Sequence, residues 1–212
     1  MAQQRQSIYV GAPGFRGLNT QDSPVNQDSS FASIAENAII DKYGRIGARQ
    51  GLDKLTSSTT PLGASIGTES IFEFTKNDGT TTVFSTGNNK VFTGTTSLTD
   101  VTNSMTISAN NWKIVSFNND VYFFQRGHNA LEYTSSSSSL GVVHADAPDA
   151  NEVCAAFGRL WAGDVANNTY TLYFSDTLDG DDWTGGTSGS LDLRTVWTTG
   201  FDEIVASHEV ND

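Results

Sequence analysis

The stretch Trp112-Lys113-Ile114-Val115-Ser116-Phe117-Asn118-Asn119-Asp120-Val121-Tyr122-Phe123-Phe124 decides the fold. Two runs rich in β-branched and aromatic residues flank a polar Asn-Asn-Asp turn, which is the pattern of a β-hairpin. The pattern recurs on both sides. Upstream, Ile71-Phe72-Glu73-Phe74 leads through Asn77-Asp78-Gly79 to Thr81-Thr82-Val83-Phe84-Ser85, and Gly87-Asn88-Asn89 then leads to Val91-Phe92. Downstream, Val153-Cys154-Ala155-Ala156-Phe157 turns at Gly158-Arg159 into Leu160-Trp161-Ala162-Gly163, and Glu203 to Val210 reads as a last strand before Asn211-Asp212. Phe117 and Phe157 take the same place before their turns, 40 positions apart, and Val210 repeats it 53 positions later.

Strand pairs at this loose period predict four-stranded propeller blades of about 40 to 50 residues, with a β-sandwich of irregularly spaced hairpins as the alternative. The expected fold class is all-β: an incomplete β-propeller of about three to four blades over 56–212. An extended N-terminal arm over 1–30 and a short helix with a β-hairpin over 31–55 precede it. A strand ending at Val210 lacks its hairpin partner, and an unpaired edge is an aggregation hazard, so the propeller is expected to continue beyond Asp212.

Composition agrees with strands and turns. The 212 residues include 12 Phe, 6 Tyr and 4 Trp, enough for a substantial core, and 20 Gly alongside runs of Ser and Thr. The formal charge of −12 is concentrated at one end: +1 over residues 1–60, −2 over 61–140 and −11 over 141–212. Affinity for nucleic acid normally comes from Lys and Arg neutralising phosphates, so this balance disfavours a basic reader of nucleic acid. Cys154 is the lone cysteine, which rules out an intrachain disulfide and a cysteine-built zinc site. No run approaches the ~20 apolar residues of a membrane span, and the first residues lack an apolar core of signal-peptide length. Neither a membrane nor a secretory route is expected.

Ser29 to Ala38 gives the helical signal. Asp28 or Ser29 can cap it, and Phe31, Ile34, Ala35 and Ala38 fall on one face at helical spacing. Ala38-Ile39-Ile40-Asp41 then turns at Lys42-Tyr43-Gly44 and returns through Arg45-Ile46-Gly47-Ala48-Arg49 as a hairpin. Residues 56–67 form a Ser/Thr/Gly/Pro connection to the strands that follow.

The lead-in Gly17-Leu18-Asn19, Pro24, Ala35-x-Asn37, Gly44-x-Ile46-x-x-Arg49-x-Gly51, followed by strand-rich units with Tyr173-Phe174-Ser175 and Trp183, resembles the tail nozzle and packaged-DNA stabilisation proteins of short-tailed bacteriophages. The resemblance spans most of the chain and is specific over Gly11 to Leu52. It implies β-propellers assembled as a ring, usually hexameric, below the portal and adaptor. There they form part of the DNA channel and help retain or eject the genome, as virion structural proteins with no enzymatic activity and no cofactor. The chain departs from the family in being too short for a complete propeller. Arg16, Arg45 and Arg49 are the candidate contacts to acidic partner surfaces, which include a second copy, the adaptor ring, and other tail proteins or fibres. The acidic turn Asp176, Asp179, Asp181 and Asp182 is the candidate channel-facing surface, past which packaged DNA slides without specific binding.

The remaining motifs depart from the chemistries they suggest. Gly11 to Gly17 is glycine-rich but lacks the Gly-Lys-Ser/Thr ending of a phosphate loop. Ser175 to Trp183 resembles the Asp-box turn of sialidase-like propellers, with its glycine one position early and no Thr before the Trp. Clustered aspartates can hold calcium, but an EF-hand pattern through Gly180 needs Glu where Gly186 stands. His128, His144 and His208 show no ligand spacing, so no metal and no catalytic residue is assigned. The alternative function is a glycan-binding or glycan-cleaving propeller using paired carboxylates and the aromatic platforms Trp161, Trp183 or Trp197; an adhesin is the third.

Overall fold

Short antiparallel connections dominate the chain. The computed structural model describes residues 16–23, 25–49, 51, 53, 55, 56, 58, 60–196 and 203–207. The arm residues 1–15, Pro24, Trp197 and residues 208–212 lie outside the described residues, and the last strand expected from Glu203 is not formed over 203–207, where the Ile204 amide bonds singly to the Thr169 carbonyl. The chain divides into two units, residues 1–54 and 55–212.

In the first unit, β1 (Gly17–Leu18) pairs in parallel with β2 (Phe31–Ala32), and β3 (Ala38–Ile40) pairs antiparallel with β4 (Ile46–Ala48). The expected hairpin is present. Asp41 Oδ1 accepts from the amides of Tyr43 at 2.8 Å and Arg45 at 2.9 Å, and Gly44 takes φ +76°. The expected helix over 29–38 is not: Phe31–Ala32 is a strand, and the chain reaches β3 through bends. Asp28 does cap, accepting from the Ser30 amide at 2.7 Å, but it caps a turn. Ten residues gain too few hydrogen bonds to offset helix nucleation unless an apolar face is buried, and Ile34 on that face is exposed.

The second unit contains three four-stranded antiparallel sheets, each a meander in chain order. The first comprises β5 (Ser70–Thr75), β6 (Thr81–Gly87), β7 (Lys90–Thr93) and β8 (Thr99–Asp100). The second comprises β9 (Lys113–Phe117), β10 (Asp120–Gln125), β11 (His128–Thr134) and β12 (Ser139–Val142). The third comprises β13 (Ala150–Ala156), β14 (Arg159–Val165), β15 (Thr171–Phe174) and β16 (Gly189–Asp192). No α-helix occurs among the described residues; a single 3-10 turn, Leu193–Thr195, follows β16.

The turns explain the meanders. Two-residue hairpin loops need positive φ at both positions, and Asn tolerates it. Asn88 and Asn89 lie at φ +55° and +54°, and Asn118 and Asn119 at +48° and +70°. At the β13–β14 turn the pair is Phe157 (+54°) and Gly158 (+71°). Ala156 pairs with Arg159 as Phe117 pairs with Asp120, so the equivalent of Phe117 is Ala156 and not Phe157. A phenylalanine in left-handed backbone is uncommon, which is why the sequence reading placed it in the strand.

The sheets pack face to face through the middle one. Side chains alternate along a strand, so β10 sends Val121 and Phe123 to one face and Tyr122 and Phe124 to the other. The first pair joins Phe74, Phe84, Val91, Leu131 and Tyr133 in one core, with Phe84 and Phe123 ring centroids 5.6 Å apart. The second pair joins Ala130, Leu160, Ala162 and Trp183 in another, with Phe124 and Trp183 6.0 Å apart. The first strands lie side by side, β5 against β9 and β9 against β13, while β8, β12 and β16 make no comparable contacts with one another. Lys113 Nζ on β9 reaches Glu152 Oε1 on β13 at 3.6 Å.

Polar links tie both ends of the stack. At one end Asn119 Oδ1 accepts from the Asn77 amide at 2.7 Å, and Asn118 Nδ2 donates to the Leu178 carbonyl at 3.0 Å, so one turn holds both neighbouring sheets. At the other, the Arg126 guanidinium pairs with the buried Asp164 carboxylate, which also accepts from Asn151 Nδ2 at 3.1 Å.

Phe123→Ala is expected to lower unfolding free energy by about 3–5 kcal/mol, because it opens a cavity where two sheets meet. Ile71→Ala, on a side chain 72% exposed in β5, is expected to change it by less than about 0.5 kcal/mol. Urea denaturation of both variants checks the contrast, and equal effects would show that the alternation does not set the core.

Candidate functional site

The connection between β15 and β16 carries Asp176, Asp179, Asp181 and Asp182, and the structure gives them different tasks. Asp176 Oδ1 accepts from the Thr177 amide at 2.7 Å, the Thr187 amide at 2.9 Å and Thr187 Oγ1 at 2.6 Å, closing the loop at its base. The Thr187 hydroxyl above all, then the two amides and Arg159, hold its carboxyl below the ordinary value of 3.8. Asp182 Oδ1 accepts from the amides of Thr184 at 3.0 Å and Gly185 at 2.6 Å, and Asp179 Oδ1 from the Asp181 amide at 3.0 Å. These are loop-shaping bonds of the Asx type.

Two anchors fix the loop to its surroundings. Trp183 Nε1 donates to the Gly180 carbonyl at 2.9 Å while the indole fills the core beside Phe124, so this tryptophan presents no open platform. Arg159 Nη1 donates to the carbonyls of Ser175 at 2.8 Å and Thr187 at 2.7 Å, and its guanidinium lies 5.5 Å from the Phe174 ring centroid. Trp161 is half-buried, 5.2 Å from Phe174, with its indole N–H donated to Ala156.

Asp181 alone of the four reaches another sheet. Its carboxyl meets that of Glu132 on β11, and Tyr122 on β10 donates its hydroxyl to Glu132 Oε1 at 3.1 Å. Burial, then the Asp181 charge, pushes the Glu132 carboxyl above 4.5; burial, then Asp179, pushes Asp181 above 3.8. The Tyr122 hydroxyl is also pushed up, by burial first and the Glu132 charge second. A groove of about 510 Å³ lined by Val142, His144, Asp179, Asp181, Asp182 and Thr184 opens beside the pair. Sequence reading missed Glu132 and Tyr122. The available signal was parity: Glu132 shares its strand face with Ala130, a core position.

The remaining candidates do not converge. Arg16, Arg45 and Arg49 are exposed in the first unit, where Arg45 lies 5.6 Å and Lys42 5.1 Å from the Tyr43 ring centroid. The first unit has no apolar core among its described residues. Ser30 is the one buried residue among those described there, while Leu18, Val25, Ile34, Ile39, Tyr43 and Ile46 are exposed. His128 Nδ1 lies 3.5 Å from Ser108 Oγ, and His144 Nδ1 lies 3.0 Å from Asp146 Oδ2. Among the described residues, no three His, Cys, Asp or Glu side chains gather in a metal-holding group.

Asp176→Asn is expected to speed hydrogen exchange at the Thr177 and Thr187 amides while leaving the β14 and β15 amides protected. Because the Asp176 carboxyl is held below 3.8, its contribution is present above that pH and lost as pH falls through the lowered value. The wild type should therefore lose the same protection in acid, and unchanged exchange in the variant would remove Asp176 from the loop's support. No family model, curated protein or solved structure matches the chain.

Proposed function

We propose that this protein is a structural component of a bacteriophage tail, a nozzle or tail-hub ring whose sheets are consecutive propeller blades around a DNA conduit. The observation that carries the reading is the second unit's geometry: three meanders in chain order, with the first strand of the middle sheet beside the first strands of both neighbours. Blades around an axis require that convergence, because the first strand of each lines the centre. The resemblance of the lead-in to short-tailed phage nozzle proteins supplies the location, the virion tail.

Charge supports a conduit that guides without holding. Residues 141–212 carry −11 of the −12 net charge, and like charge repels phosphates within a ~10 Å screening layer, so DNA passes without specific binding. The Leu178 amide bonds to the Gly158 carbonyl and the Leu178 carbonyl to Asn118, so the acidic loop sits at the end of the stack where the hairpin turns gather. Its carboxylates then act at an opening of the conduit.

The first unit supplies the assembly contacts. A segment that leaves Val25 90% exposed and buries no apolar side chain among its described residues gains most of its order from a partner. Arg16, Arg45 and Arg49 pair there with the acidic surface of a second copy, the adaptor ring or a neighbouring tail protein.

Electron cryo-microscopy of the purified full-length protein and of the particle containing it tests the reading. The expected result is a symmetric ring, usually six-fold in the resembling family, around an axial channel. A particle that stays monomeric at every concentration tried and is absent from the tail would sink the proposal.

A further inference from the structure

Glu132 and Asp181 come from different sheets, yet both side chains are partly buried and their carboxyl groups face each other. Glu132 stands on β11 of the middle sheet, facing the third. Asp181 arrives on the β15–β16 loop, whose neighbour Gly180 rests so close to the Tyr122 ring that a Cβ there has no space. The Trp183 indole, bonded to the Gly180 carbonyl, plugs the core directly behind. Asp181 Oδ1 is shut off from solvent and has no hydrogen-bond donor. The group that reaches Asp181 is another carboxyl, which can donate only when it carries a proton.

We propose that Glu132 and Asp181 form a pH-gated clasp between the second and third sheets, closed while at least one of the two carboxyls is protonated and open when both ionise. In the closed form Tyr122 donates to Glu132 Oε1, and the protonated Glu132 donates to Asp181. Loss of the proton leaves two negative charges in contact. Asp120 on β10 and Asp179 on the loop add like charge to the pair, and the Tyr122 hydroxyl supplies one hydrogen bond. His144, which follows β12, offers the opposing cation when protonated. Repulsion then lifts Gly180 off Tyr122 and draws Trp183 with it.

The sign follows from linkage. Both carboxyls are pushed above their ordinary values of 4.5 and 3.8, so the closed form binds the proton more tightly than the open one. The clasp contributes fully below those values and is lost as pH rises through the raised ones. Asp176 at the base of the same loop acts in the opposite direction, so acid weakens the base while it fastens the tip. The clasp is a property of the second unit and stands whether or not copies assemble into a ring.

Carboxyl carbon-13 NMR of the full chain, with acrylamide quenching of Trp183 taken as the difference from Trp183→Phe, tests it. The expected result is a coupled two-step titration of Glu132 and Asp181, with at least one step above 4.5. The Trp183 quenching constant should rise about twofold or more over the same pH range as the loop opens locally. Glu132→Gln, whose amide donates at every pH and never becomes charged, should flatten the quenching profile. Independent titrations at ordinary values would overturn the proposal. So would a quenching profile in Glu132→Gln that rises as in the wild type. If Trp183→Phe does not fold, the titration and the total tryptophan quenching of Glu132→Gln against wild type decide alone.

Discussion

Strand β10 has to complete two cores at once. A strand with one face in water needs apolar residues at alternate positions; Val121, Tyr122, Phe123 and Phe124 are apolar or aromatic at every position because both faces are covered. The first sheet supplies the Phe84 side of that burial and the third sheet the Leu160 and Trp183 side. A one-residue slip in β10 would exchange the two sets and mismatch both cores, so register in the middle sheet fixes the placement of its neighbours.

Polar groups then settle what apolar burial leaves free. Packing two flat faces specifies a separation but permits sliding, and the side-chain bonds at the ends of the strands oppose it. Asn118 and Asn119 do this at one end while also providing the left-handed turn, and Arg126 with Asp164 does it at the other. The β15–β16 loop extends the same logic: its acids are mostly consumed in shaping it, and Asp181 is the one left to negotiate with another sheet. The density of aspartate there is thus divided between architecture and charge.

Sequence legibility varied with the range of the interaction. The turns at Asn77-Asp78-Gly79, Asn88-Asn89 and Asn118-Asn119 were readable because the backbone conformation they need is a property of the residues themselves. The strands beside them followed from β-branched and aromatic runs. Residues 29–38 misled because helical spacing of Phe31, Ile34, Ala35 and Ala38 says nothing about whether a surface exists to bury it. Phe157 misled because an aromatic looks like strand wherever it stands. The acidic loop was visible as composition, but Glu132 lies 49 positions before Asp181, and only sheet register brings the two together.

The meander order has a bearing on how the molecule is made. Within each four-stranded sheet every strand after the first pairs with the one synthesised just before it, so hairpins can zip as the chain leaves the ribosome, with little loop entropy to overcome. The middle sheet is the exception in time. Its Tyr122 and Phe124 face stays bare until Leu160, Ala162 and Trp183 have emerged, which leaves a sticky aromatic surface on the nascent chain. That interval is when a chaperone, or a neighbouring nascent copy, has its opportunity to bind.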